Sequence, residues 1–372
     1  MYAKDKKKLD AATTRFVEGL SRFGHVIVRR IPLKCAPPGG KRKEPFGFRD
    51  GISQPILRGT FRAQRPFDQI HLVEPGEFIL GYADNRGYIP PTPTLSPMFD
   101  PDNLLALVPG TYNAQVGFSR PVAESDRDLG RNGSFLVIRQ LEQDVEQFRH
   151  FISRAASSNF SGPAAGSVSR ETWIAAKLLG RWPDGSSLVR NPSYPASNKI
   201  SSSGMPAKPV EPDNSFLFGV EDPQGLRCPY GAHIRRANPR DSFDPGSTDQ
   251  IAITNRHRIL RSGRRYEERE TGKEKLKEGL LFICVNADFE RQFEFIQQTW
   301  VLNPSFHGMS GEADPLLAGR ESGVFTIPMP SGPMRIEGLS SFVQVRGGGY
   351  FFLPGKRTFT FLARHATMAR IT

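Results

Sequence analysis

The chain has 372 residues, 38% of them hydrophobic and 24% charged, enough to bury a sizeable core in one large domain or two smaller ones. No run approaches the ~18 apolar residues that cross a bilayer, and Cys35, Cys228 and Cys284 are odd in number and far apart, which argues against a disulfide framework or a cysteine zinc site. The net charge of +12 invites a nucleic-acid reading, but the basic residues are scattered, and a solvated basic face competes with polyanion contact.

In chain order, "LDAATTRFVEGLSR" (9–22) spaces its apolar residues as a helix does, and "HVIVRRIPL" reads as a strand. The N-terminus is basic but has no apolar segment of signal-peptide length, so a reducing, cytoplasmic setting is expected. A Gly/Pro-rich stretch follows, with "EFILGYADN" as a strand ending in a turn. "FLVIRQL" predicts a strand and "EQDVEQFRHFISRAA" a helix with Val145, Phe148 and Ile152 on one face. "RETWIAAKLLGRW" predicts a second helix, and the Pro/Ser/Asn-crowded segment 183–215 a long surface loop. From 279 the order is strand ("GLLFICVNA"), helix ("DFERQFEFIQQTWVL"), strand ("FVQVRGGGYFFLP") and closing helix. This alternation, with much non-local connection, predicts an α+β fold, a sheet covered by helices.

Three stretches carry chemistry. In "EPFGFRDGISQP" one acid, Asp50, stands between Gly47 and Gly51, where backbone can approach a partner closely. In "RCPYGAHIRRANPR" His233 lies on an element clipped by Pro229 and Pro239, beside Arg235, Arg236 and Arg240. It is either a hydrogen-bonded structural residue or a neutral ring offering its lone pair to a metal, since nearby cations disfavour imidazolium. In "RHRILRSG" Arg261 follows an aliphatic pair and points either into a cavity towards an anion or, on an edge strand, to solvent.

Together these stretches resemble the dye-decolorising peroxidases, haem enzymes that reduce hydrogen peroxide. "FGFRDGISQP" fits the family's GxxDG motif, "CPYGAHIRRANPR" its proximal-histidine segment and "RHRILRSG" its distal-arginine segment; "DLGRNGSFLVIRQLEQDV", "GLLFICVNADFERQFEFIQQTW" and "VRGGGYFFLPG" are also family-like, in the form of the longer subtypes. The resemblance spans nearly all of residues 44–365 and implies ferredoxin-like antiparallel sheets with helices, of the dimeric α+β barrel type. Its first repeat would be incomplete, because Asp50 arrives far earlier than in the family. The division it implies is a remnant of the first half over 1–46, the distal motif with insertions and long loops over 47–215, and a second half with the proximal ligand over 216–372.

The resemblance further implies one haem b per chain, held by His233, with Asp50 as the distal proton carrier and Arg261 as the charge stabiliser. Leu281 and Ile283 would wall the distal side, Asp314 would accept from the His233 ring, and Arg235 or Arg236 would pair with a haem propionate. The expected partners are hydrogen peroxide and small aromatic reductants such as dyes and phenols. No nucleic acid or membrane is expected, and a homo-oligomer is compatible with the reading. Trp173, Trp182, Trp300 and the eight tyrosines are the available surface relays, each also a candidate for core packing. The alternative function is a haem carrier with little turnover because the N-terminal half is short.

Overall fold

The computed structural model describes residues 5–34, 41–64, 66–109, 123–157, 168–198, 214–269, 276–318 and 323–368. Cys35, and 199–213 of the loop expected over 183–215, lie outside them.

Helix α1 (Lys6–Ser21) starts at an Asp5 cap, whose Oδ1 accepts from the Lys8 N–H at 2.8 Å, and buries none of its side chains. Strand β1 (Ser134–Gln143) leads into α2 (Val145–Ser157), which buries Val145, Phe148, Phe151, Ile152, Ala155 and Ala156 along one helical face. A long insertion follows, carrying α3 (Arg170–Leu179), α4 (His233–Ala237) and α5 (Thr248–Asn255). Strands β2 (Leu260–Arg269) and β3 (Leu276–Asn286) then form a hairpin. The next helix, α6, consists of Glu290–Glu294 and Ile296–Val301 and is wound wide: Glu294 N–H reaches Phe289 C=O and Leu302 N–H reaches Gln297 C=O, five residues back. A hairpin of β4 (Gly323–Ile327) and β5 (Met334–Leu339), strand β6 (Val343–Leu353) and helix α7 (Lys356–Met368) complete the chain.

The main sheet has the order β6-β1-β3-β2, with every neighbour antiparallel. Counted along the chain this is 4-1-3-2, and with α2 after the first strand and α6 after the third it is the ferredoxin-like arrangement. The largest apolar cluster joins α2 and α3 to the β4–β5 hairpin through Phe148, Ile174, Trp182, Phe216, Phe325 and Ile336. Gly180, at φ +97°, ends α3 against α4: a Cβ there would stand 2.4 Å from Ile234 Cγ1. Among the described residues no helix is long and apolar enough to cross a membrane.

Several expectations change. Residues 25–33 form no strand; only Leu33 bridges to Tyr266, while Val26 and Val28 are 83% and 96% exposed, so the run has no ladder to join. The stretch 77–85 turns instead of extending, with Gly81 at φ +87°. The segment after 183 is no surface loop at its start, since Ser186, Ser187, Leu188 and Val189 are at most 2% exposed. The sheet also straddles position 215: β1, inside the expected middle segment, sits between β6 and β3 from the last one.

Candidate functional site

Strand parity sorts the side chains around Arg261. Along β2 and β3 the pairs Arg261–Cys284, Gly263–Phe282 and Arg265–Leu280 face one way, and Ser262–Ile283 and Arg264–Leu281 the other. Val137 pairs with Cys284 across β1, and Val137, Cys284, Phe282 and α6's Phe293 form one cluster. Arg261 therefore lies on the face that carries α6. Leu281 and Ile283 lie on the opposite face, so the β3 residues that share the face of Arg261 are Cys284, opposite it, and Phe282 and Leu280 further along. "GLLFICV" is apolar throughout, and such a run does not reveal which alternate set faces which side.

Asp50 comes over this face from a closed loop. Its N–H donates to Arg42 C=O at 3.1 Å, and Lys43 bridges to Arg49. The turn between them is gripped by Glu44, whose carboxylate accepts from the Phe46 and Phe48 N–H groups, both at 2.9 Å, and from Gln143 Nε2 at 2.8 Å. Burial raises the Glu44 pKa against those hydrogen bonds, and the nearby Asp50 charge pushes the same way. Asp50 Oδ1 accepts from Arg261 Nη1 at 2.7 Å. Its Oδ2 is buried and has no hydrogen-bond partner among the described residues. It stands over Gly263, where a Cβ would meet Oδ2 at 2.9 Å and Leu280 Cδ2 at 2.9 Å. Glycine at 263 thus makes room for the carboxylate.

His233 opens α4. Its Nδ1 lies 2.8 Å from Asp314 Oδ2, and because a carboxylate only accepts, Nδ1 carries a proton, which leaves Nε2 as the ring nitrogen available to a metal. Among the described residues Nε2 has no hydrogen-bond partner. Asp314 is fully buried; burial would raise its pKa, but the His233 charge and hydrogen bond and the Leu316 and Leu317 N–H groups outweigh it and hold the carboxyl below its usual value. Asp314 N–H donates to Val301 C=O, which ties it to the end of α6. Ala237 of α4 packs on the α6 cluster of Ile296, Trp300 and Val301, and Ile259, two residues before Arg261, touches that cluster and the one with Phe282. Both halves of the candidate site thus lie on the α6 side of the sheet.

Arg235 and Arg236 are fully buried and bound to protein. Arg235 donates to Cys228 C=O at 2.8 Å and Asp222 Oδ2 at 3.3 Å; Arg236 donates to the carbonyls of Trp300, Asn303 and Glu312 at 3.0, 2.9 and 2.6 Å. They stitch α4 to its surroundings and are committed there, which removes them as propionate partners. Trp173, Trp182 and Trp300 are buried at 7%, 0% and 6% exposure, whereas Tyr82, Tyr88, Tyr194 and Tyr350 reach the surface. Three residues went unread in the sequence: Glu44, Gly263, and Gln54, whose carboxamide bonds the Arg261 main chain. Their roles rest on long-range contacts; the only local signal was their place within or beside the motifs.

The donor set suits a flat group with a metal at its centre and polar edges. One imidazole nitrogen is uncommitted, and Asp50 Oδ2, Arg258 Nη2 and both amide atoms of Asn238 are buried without a hydrogen-bond partner among the described residues.

No protein-family model matches the chain. It is 28% identical to the curated "Dye-decolorizing peroxidase msp1" of Mycetinis scorodonius, over 88% of this chain and 58% of that protein. Among solved structures it matches an ancestral D-type dye-decolorising peroxidase with TM-score 0.61 and 27% identity, covering 87% of this chain and 64% of that one. It also matches a structure from work on engineering the heme pocket of a dye-decolorising peroxidase, with TM-score 0.67 and 22% identity, over 96% of this chain and 73% of that one; this last likeness concerns the fold. The chain spans under two thirds of the length of the curated relatives that align with most of it. Those curated homologues and the structural neighbours are dye-decolorising peroxidases.

Proposed function

We propose that the chain binds haem b at His233 and acts as a peroxidase of the dye-decolorising type, reducing hydrogen peroxide at the expense of dyes, phenols or similar aromatic reductants. The observation that carries this reading is the His233–Asp314 pair, an imidazole held by a buried carboxylate at 2.8 Å with its other nitrogen uncommitted. Haem, when bound, supplies the two-electron reduction of peroxide and the one-electron oxidations that follow.

The remaining steps belong to the chain's own side chains. His233 Nε2 would ligate the iron, and Asp314 would fix the ring's tautomer and angle and make the imidazole more electron-donating. Asp50 Oδ2, the carboxylate oxygen left free by Arg261, would accept a proton from peroxide and return it to the departing oxygen, which leaves as water. Arg261, permanently charged, would stabilise negative charge as the O–O bond breaks and would hold Asp50 Oδ1 so that Oδ2 stays presented. Leu280 and Phe282 would limit water on that side.

The test is reconstitution of the chain with haem. A Soret band should appear and should be lost in His233→Ala with the far-ultraviolet circular dichroism unchanged; a full band in that folded variant would overturn the ligand assignment. On mixing with peroxide, Asp50→Asn should slow the reaction about 10²-fold or more, and Arg261→Leu by about 10²–10³-fold. Rates unchanged in both variants would remove their roles, and haem uptake without any peroxide reaction in the unaltered chain would leave a haem carrier.

A further inference from the structure

We propose that Gln54 is a positioning residue: its carboxamide stands in for a neighbouring strand at the sheet edge, fixing Arg261 and thereby the free oxygen of Asp50. The proposal rests on the reading of that pair given above.

Strand β2 is the edge strand of the sheet. At Arg261 the antiparallel alternation turns the main-chain N–H and C=O away from β3, towards the open edge. Gln54 meets both. Its Nε2 donates to Arg261 C=O at 2.7 Å, and its Oε1 accepts from Arg261 N–H at 3.2 Å. A primary carboxamide has a donor and an acceptor side by side, as a strand neighbour offers them, so one side chain does the work of a paired residue. Further along the same edge a main-chain group does it: Lys34 N–H donates to Arg265 C=O at 2.7 Å.

One short loop therefore grips one residue twice. Asp50 takes the Arg261 guanidinium, and four residues later Gln54 takes the Arg261 backbone. Gly51 sits at φ +81°, a turn that L side chains rarely adopt, and Pro55 restricts Gln54 to extended geometry. Without the backbone grip, the ion pair could keep its 2.7 Å contact while both partners drift together over the sheet. With it, the strand, the guanidinium and the carboxylate share one register. Misplacement of a reacting group by about 1 Å can cost about 10²-fold in rate, so the clamp matters to chemistry as well as to the fold. Asparagine is one methylene short of this reach, and glutamate would lack the donor for the Arg261 carbonyl.

The experiment uses Gln54→Met, which keeps length and volume but makes neither hydrogen bond. In the chain without haem, amide hydrogen exchange at Arg261 should speed at least tenfold, while Ser262 and Arg264, whose amides point inward to β3, should stay protected. In the haem-loaded chain the peroxide step should slow at least tenfold with the KM for the reductant unchanged. Unchanged exchange at Arg261, or faster exchange with an unchanged peroxide step, would overturn the proposal. If the unaltered loaded chain does not react with peroxide, the peroxidase reading fails, whereas the exchange measurement still decides whether the clamp exists.

Discussion

His71 is held as a neutral ring. Burial pushes its pKa down, and the Arg240, Arg258 and Arg181 charges add to this against the Asn214 carbonyl, bringing it to about 2. Arg258 Nη1 donates to Nδ1 at 3.0 Å, and Nε2–H donates to Asn214 C=O at 2.7 Å. Because the unfolded ring titrates near 6.5, the unfolded chain takes up a proton below that pH that the folded chain refuses. The stability from this site is complete above about pH 6.5 and declines as pH falls towards 2. His71→Gln can keep both hydrogen bonds without titrating, so its unfolding free energy, measured in urea from pH 4 to 6, should fall less steeply by about 1.4 kcal/mol per pH unit. An unchanged slope would remove His71 from the acid response. At this scale the sequence was partly legible. The His233–Asp314 pairing followed once the resemblance gave the histidine its role, because a ligating imidazole calls for an acceptor on its other nitrogen. The duties of Arg235 and Arg236 did not, because their acceptors, backbone carbonyls together with the Asp222 carboxylate, are brought in from residues as distant as 312.

Helices α1 and α3 have the same kind of cap and opposite surroundings. Ser169 Oγ accepts from Thr172 N–H at 3.2 Å at the start of α3, whose Ile174, Ala176 and Leu178 are wholly buried. Asp5 caps α1, which buries nothing. Ser169→Ala should therefore lower global stability by about 1 kcal/mol, while Asp5→Ala should fray α1 and leave the main unfolding transition within about 0.5 kcal/mol; chemical denaturation with helix-resolved exchange separates the two. Equal losses would mean that α1 is coupled to the core. Helical period revealed α2 and α3, and β1, β3 and β6 stood out as apolar runs between turn signals. The apolar run within 25–33 looked equally convincing, but a strand exists only where another offers a ladder, and that is information from elsewhere in the chain. The same limit explains Leu281 and Ile283, since a run apolar on both faces conceals its register.

For the whole molecule, the sheet face away from α6 matters most. It carries Leu281 and Ile283 together with Phe351 and Leu353, the latter two 50% and 48% exposed, and Phe359 and Leu362 of α7 are also open at 68% and 44%. Exposed apolar area on this scale favours association. Phe351→Lys should reduce concentration-dependent light scattering while leaving the unfolding midpoint nearly unchanged; equal scattering from both chains would refute the effect. The α+β class was legible from the order of elements. The boundary at 215 was not, because the insertion bearing His233 interrupts a sheet whose first strand lies before it. That interruption also sets a timetable. Residues 134–143 pair with 276–286 and 343–353, stretches made much later. At about 5–20 residues per second of synthesis, β1 waits on the order of ten seconds for its first partner. During that interval it is a nascent apolar segment with two bare edges, and chaperone supply and growth temperature should govern the yield of folded chain more strongly than its final stability does.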